Sequence, residues 1–126
     1  MKLNPDCIRD ILMFVENETT LYDPVEISPE DIPEFFNSYS SEEVMYHIKQ
    51  CELSNLILIP SWYLDGGCII AYLLPEGHQF IANIRNDTNW NKTKEIAKSV
   101  GSSSLDIIKE IAANVVSSLI QSYLGQ

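Results

Sequence analysis

Apolar and polar positions alternate at helical spacing over most of this chain, and the starts of the helices are legible. Ile8, Ile11, Leu12 and Val15 fall three and four residues apart behind Asn4-Pro5, which predicts a helix capped by Asn4 with proline at its first position. Ser28-Pro29-Glu30-Asp31 has the spacing of a capping box and predicts a second helix, with Ile32, Phe35 and Phe36 on its buried face. Ser40-Ser41-Glu42-Glu43 repeats the device ahead of Val44, Ile48 and Cys51. Between the first two helices, residues 19–27 read as loop or a short strand.

The period then changes. Leu56–Ile59 and Cys68–Leu74 are rich in β-formers and flank Asp65-Gly66-Gly67, a stretch suited to the positive φ angles of a hairpin turn. Pro60 cannot donate to a ladder, so the first strand should meet an edge or an end there. Pro75 opens a further helix with Phe80, Ile81 and Ile84 facing inward. Thr88 is expected to cap the next, through about Val100, with Gly101 ending it. Ser103 and Asp106 open the last, where Leu105, Ile108, Ala112, Val115 and Leu119 recur at spacings of three and four. Ile111, Val116, Ile120 and Tyr123 widen that stripe beyond a two-strand seam.

The predicted class is α+β and mainly helical: a winged helix-turn-helix, three helices plus a hairpin wing, with additional C-terminal helices. Residues 1–86 would form the winged-helix domain. Residues 87–126 would be a helical extension that packs on it or joins two copies.

A resemblance supports this. "SSEEVMYHIKQCELSNLI" and, after the hairpin, "LLPEGHQFIANIRNDTNWNKTKEIAKSVGSSSL" are similar to a family of phage and prophage proteins of Gram-positive bacteria, classed as a domain of unknown function and related to small winged-helix proteins. "LLPEGHQF" also resembles the "LTPEG" step after the wing of many winged-helix repressors, with Pro75 where threonine is usual. The resemblance implies a fold and a phage-linked origin in a bacterial host. It supplies no catalytic residues.

Charge changes the picture most. The chain of 126 residues carries a formal −10. Residues 1–63 hold twelve acidic and three basic side chains, whereas residues 64–126 hold six and five. A DNA-reading helix presents Arg, Lys, Asn or Gln to base edges, with cations nearby for phosphates. Here the expected outer face is Tyr46, His47, Lys49 and Gln50. Glu42 and Glu43 occupy the turn that would enter the groove, Glu30, Asp31 and Glu34 stand on the preceding helix, and the wing tip Asp65-Gly66-Gly67 lacks a cation.

The favoured reading is therefore a non-enzymatic module whose acidic face engages a protein, such as a host or phage protein that handles nucleic acid, or a defence protein. The alternative is a dimeric, sequence-specific DNA-binding transcriptional regulator. Lys92, Lys94, Lys98 and Lys109 would be its basic patch, or else a solvated helix face. Trp62 and Tyr63 beside the wing are residue types enriched at binding hot spots, or else they pack beneath the hairpin.

Other chemistry finds little support. Cys7, Cys51 and Cys68 include no Cys-x-x-Cys, and two histidines are too few for a structural zinc site. His47 and Cys51 at i, i+4 echo a thiol–imidazole pair, but no orienting third group follows and Cys51 reads as core. No glycine loop cradles phosphate, and His78 reads as a surface residue. We expect no catalytic site, metal or cofactor. No stretch approaches the roughly 20 apolar residues of a membrane span. The opening "MKLNPD" has no apolar signal core, so a cytoplasmic location is expected.

Overall fold

The computed structural model describes residues 1–125. It is a mainly helical α+β structure, and the chain divides into two units, Met1–His78 and Gln79–Gln126.

In the first unit, α1 (Pro5–Glu18) is capped by the Asn4 side chain, which accepts from the backbone N–H groups of Asp6 and Cys7. The predicted stripe of Ile8, Ile11, Leu12 and Val15 is fully buried, with Cys7 beside it. The chain returns through β1 (Val25–Ile27) into a 3-10 turn, Pro29–Asp31, and then α2 (Ile32–Phe35). Asp31 Oδ2 accepts from the Ser28 N–H at 3.1 Å, the carboxylate half of the capping box. This start yields only a short helix. Pro33 lacks an N–H to donate, and the turn is 3-10 in geometry.

Ile32 and Phe36 are buried as expected, but Phe35 is 43% exposed. A helix of four residues cannot present all three side chains to one side. Phe35 instead tilts against Phe14, with ring centroids 5.2 Å apart.

Helix α3 (Ser41–Leu53) begins at Ser40, whose hydroxyl accepts from the Glu43 N–H at 3.1 Å. The hairpin follows in two broken arms: β2 (Ile57–Leu58) and β3 (Ser61–Trp62) ascend, while β4 (Cys68–Ile70) and β5 (Tyr72–Leu73) descend. Pro60 sits at the break in the first arm. β4 is central to a three-stranded antiparallel sheet, between β1 and β3, with Val25 opposite Ile70 and Trp62 opposite Cys68. β2 pairs separately with β5.

The turn is longer than a two-residue hairpin. The Gly66 N–H donates to the Tyr63 carbonyl, the Tyr63 N–H donates to the Gly67 carbonyl, and Gly66 alone of the two glycines has positive φ, +90°. That is a turn closed by a glycine bulge. Asp65 Oδ1 accepts from the Gly67 N–H at 2.8 Å, which fixes the bend.

Helix α4 (Pro75–Ile84) starts in the first unit and ends in the second. Phe80, Ile81 and Ile84 are buried, as predicted. In the second unit α5 (Asp87–Val100) and α6 (Leu105–Leu124) pack on each other. Both starts are shifted from expectation. Asn86, not Thr88, caps α5 by accepting from the Asn89 N–H, and Ser104, not Ser103, caps α6 by accepting from Ile107. Each is the side chain three residues before a free N–H, which is the geometry a cap requires. Gly101 ends α5 in the left-handed region, φ +75°, with its N–H turned back to Ala97 and Lys98. Leu105, Ile108, Ile111, Ala112 and Val115 are buried, but the predicted stripe does not stay covered. Leu119 is 53% exposed.

Candidate functional site

The residues expected to form an acidic face lie on two acidic first turns that adjoin. The Ser41 hydroxyl donates to the Pro29 carbonyl at 2.9 Å, joining the start of α3 to the 3-10 turn. Glu30, Asp31 and Glu34 on one side and Glu42 and Glu43 on the other are thereby held on neighbouring segments. Carboxylates in first turns also complement the helix dipole.

The five are not equivalent. Asp31 is committed to Ser28, and Glu43 Oε2 accepts from the Asn4 amide Nδ2 at 3.2 Å. Both are half-buried, whereas Glu30, Glu34 and Glu42 are exposed.

On the outer face of α3, Tyr46 and Lys49 are exposed and Gln50 is half-buried. His47 corrects the expectation. It is fully buried, and its Nε2 accepts from the backbone N–H of Asn4 at 2.8 Å. With Nε2 accepting, Nδ1 carries the proton and donates to the Glu43 carbonyl at 2.7 Å. The ring therefore ties the middle of α3 to the start of α1. Val44, His47, Ile48 and Cys51 follow the 3–4 spacing of a single helix face, so the pattern itself places His47 inside.

Lys49, the single base on α3, is also engaged. Its Nζ lies 2.8 Å from Glu52 Oε1 and 5.1 Å from the centre of the Trp62 ring. The Trp62 indole N–H donates to the same Glu52 oxygen at 3.1 Å. The cluster binds α3 to β3. Trp62 is thus half-buried, partway between the two expected roles. Tyr63 is 40% exposed, and its hydroxyl donates to Glu26 Oε2 at 3.1 Å, a bond that raises its pKa. At the hairpin tip Asp65 and Gly66 are exposed, Gly67 is buried, and Leu64 stands fully in solvent. Glu26 and Glu52 had no motif to mark them. The pairing of β1 with β4 and of β3 with β4 brings Glu26 to the hairpin, and Glu52 reaches Trp62 from the end of α3.

The three thiols are buried. Burial, with Glu43 and Asp10 nearby, pushes Cys7 up to about 12. Burial, chiefly, does the same for Cys68 and raises Cys51. Such thiols stay protonated near neutrality and are poor nucleophiles. Among the described residues no group of three or more His, Cys, Asp or Glu is arranged to hold a metal ion, and no helix is long and apolar enough to cross a membrane.

The lysines of the second unit differ in setting. Lys92 and Lys98 are exposed, Lys94 lies 5.4 Å over the Trp90 ring, and Lys109 is 3.9 Å from Asp106.

An uncharacterized protein of Haemophilus influenzae (strain ATCC 51907 / DSM 11121 / KW20 / Rd) is 37% identical to this chain over 123 residues, covering 95% of this chain and 99% of its own length. No solved structure matches. Residues 2–104 match the family described as "Hypothetical protein (DUF2513)", and at that coverage the chain belongs to the DUF2513 family.

Proposed function

We propose that this protein is a non-enzymatic binding module whose first 78 residues take a winged-helix arrangement and engage the basic surface of a protein partner. The order helix, strand, helix, helix, hairpin, with β1 joined to the descending arm of the hairpin, supports the winged-helix reading. α3 then stands in the recognition position and the 63–67 turn forms the wing tip.

One observation carries the choice of partner. Residues 1–78 hold fourteen acidic against three basic side chains, and the base on α3 is already paired with Glu52. Neutralising phosphates supplies most non-specific DNA affinity, and this surface opposes it. The exposed carboxylates of Glu30, Glu34 and Glu42 instead suit a cationic protein surface and would steer it at long range. A basic nucleic-acid channel of a host or phage protein, met in the cytoplasm, has that character. The phage-linked origin implied by the resemblance belongs to the same proposal.

The DNA-binding regulator remains the competing reading, favoured by the connectivity alone. Titration of a labelled random duplex across a salt series separates the two. The protein reading expects no saturation up to roughly 10 μM at physiological salt. Tight binding that falls steeply with added salt would establish the regulator instead. In parallel, a tagged chain and its Glu30→Gln/Glu34→Gln/Glu42→Gln variant are used to capture proteins from nuclease-treated host lysate. A partner retained by the native chain and lost by the variant supports the acidic face; equal recovery removes it.

A further inference from the structure

We propose that the exposed end of α6, with the groove beside it, is the contact between two copies of this chain. The stripe that buries Ile108, Ala112 and Val115 continues along the same side of α6 through Leu119 and Tyr123, spaced at four residues, and nothing covers it there. Leu119, Ile120, Tyr123 and Leu124 are 53%, 52%, 83% and 77% exposed. The cause is a mismatch of lengths. α5 has 14 residues and α6 has 20, so at 1.5 Å per residue α6 outruns its antiparallel neighbour by roughly 9 Å. Beside this overhang lies a groove of about 570 Å³ between the two helices, lined by Thr88, Asn89 and Lys92 of α5 and Asn114, Ser118 and Ser122 of α6.

Three features point to a second copy as the occupant. First, residues 111–126 contain no charged side chain, so the stripe itself offers no complement to an acidic or a basic partner, and Lys92 is the single charge on the groove wall. Two copies of a chain with formal charge −10 can approach closely only through a surface that adds no charge of its own. Second, the ridge borders the groove, since α6 forms one of the groove's two walls and Leu119 lines it. Asn114, Ser118 and Ser122, four residues apart, are small or short and admit a close neighbour, while Leu119 and Tyr123 project alongside. A two-fold axis would set each ridge into the other copy's groove, as an isologous contact requires. Third, four large exposed apolar side chains and a groove wall amount to several hundred Å² per copy, and two such patches approach the roughly 1,200 Å² at the lower end of stable interfaces. This contact is independent of the acidic face and stands if that proposal fails.

Sedimentation of the full chain over a concentration series tests it. We expect a dimer with a dissociation constant of roughly 10 μM, as befits a small interface. The Leu119→Glu/Tyr123→Glu pair should weaken association by about 100-fold or more, with an unchanged circular dichroism spectrum because both residues are exposed. Leu119→Lys/Tyr123→Lys makes the net charge less negative and should weaken it as well, which separates loss of the apolar contact from general repulsion. A native chain monomeric at about 200 μM, or a lysine pair that dimerises as the native chain does, would overturn the proposal. So would a monomer that floats with neutral phosphatidylcholine vesicles, since the stripe would then be a lipid-facing surface.

Discussion

The two units answer the same demand, a buried apolar face, with opposite surfaces. Residues 1–78 hold fourteen acidic and three basic side chains, a net of −11, while residues 79–126 hold four and five, a net of +1. Exposed large apolar residues occur in both but are arranged differently. In the first unit Leu21, Tyr22, Leu53 and Leu64 are scattered over loops, a helix end and the hairpin tip, while in the second four gather within six residues of α6. Scattered apolar exposure is ordinary, whereas a contiguous uncharged stripe marks a contact surface. Charge and apolar exposure are thus separated along the chain; under the two proposals above, the acidic unit would select by electrostatics and the other by shape.

The sharpest contrast is between two glycines, one per unit. A β-carbon on Gly77 would collide with the backbone carbonyl of Leu56, which cannot move because it also accepts the Leu74 N–H at 2.9 Å. Gly101 has open space around it but positive φ. We expect Gly77→Ala to cost about 3 kcal/mol or more, because helix and strand must separate. Gly101→Ala should cost only about 1 kcal/mol, the left-handed strain of one residue. Urea unfolding of both variants measures the difference. Equal losses would mean that the start of α4 is not seated against Leu56.

Each unit also buries one polar side chain that makes its hydrogen bonds internally, His47 in the first and Thr93 in the second. His47 spans 43 residues to Asn4, whereas the Thr93 hydroxyl donates to the Asn89 carbonyl one turn back. Removing His47 leaves the Asn4 N–H unpaired and a hole between α1 and α3. His47→Ala should therefore cost about 3 kcal/mol. Thr93→Val keeps the volume and frees a carbonyl that the helix already satisfies, so about 0.5–1 kcal/mol is expected. Thermal melts of the two variants rank them. If Thr93→Val proves the more damaging, long-range hydrogen bonding is not what organises the acidic unit.

Much of this was legible beforehand because the signals were local. The Asn4 and Ser40 caps, the stripe of α1, the hairpin and the burial of Phe80, Ile81 and Ile84 each depend on residues within a few positions of one another. Caps of α5 and α6 were displaced because adjacent polar residues compete for the role, and only backbone geometry decides among Asn86, Asp87 and Thr88. The chemistry of His47 points outward whereas its spacing places it inward, and the period is the better guide. What the pattern could not show was long-range. Glu52 reaching Trp62 depends on how α3 meets β3, and Glu26 reaching Tyr63 and Gly77 against Leu56 depend on strand pairing. The bare end of α6 follows from the unequal lengths of two helices, which no stripe reveals.

The smallest effect concerns the lysines that sit over tryptophans, again one in each unit. Lys49 lies 5.1 Å from the Trp62 ring centre and is also paired with Glu52, while Lys94 lies 5.4 Å from Trp90. In the acidic unit the cation has two attractions, and Glu52 accepts the Trp62 indole as well. Lys49→Met should therefore destabilise by about 1 kcal/mol, since an exposed ion pair and a cation–π contact each contribute roughly half of that. Lys94→Met removes a ring contact of about 0.5 kcal/mol. Salt isolates the Glu52 pair, because an exposed ion pair is screened at about 1 M ionic strength and a ring contact much less so. The Lys49 penalty should then shrink to about half, read from unfolding followed by the fluorescence of the Trp90→Phe variant, in which Trp62 alone reports. A Lys49 penalty that salt leaves unchanged would show that Glu52 adds nothing to the Lys49 contact, and Lys49 would then be a cation available to a phosphate after all.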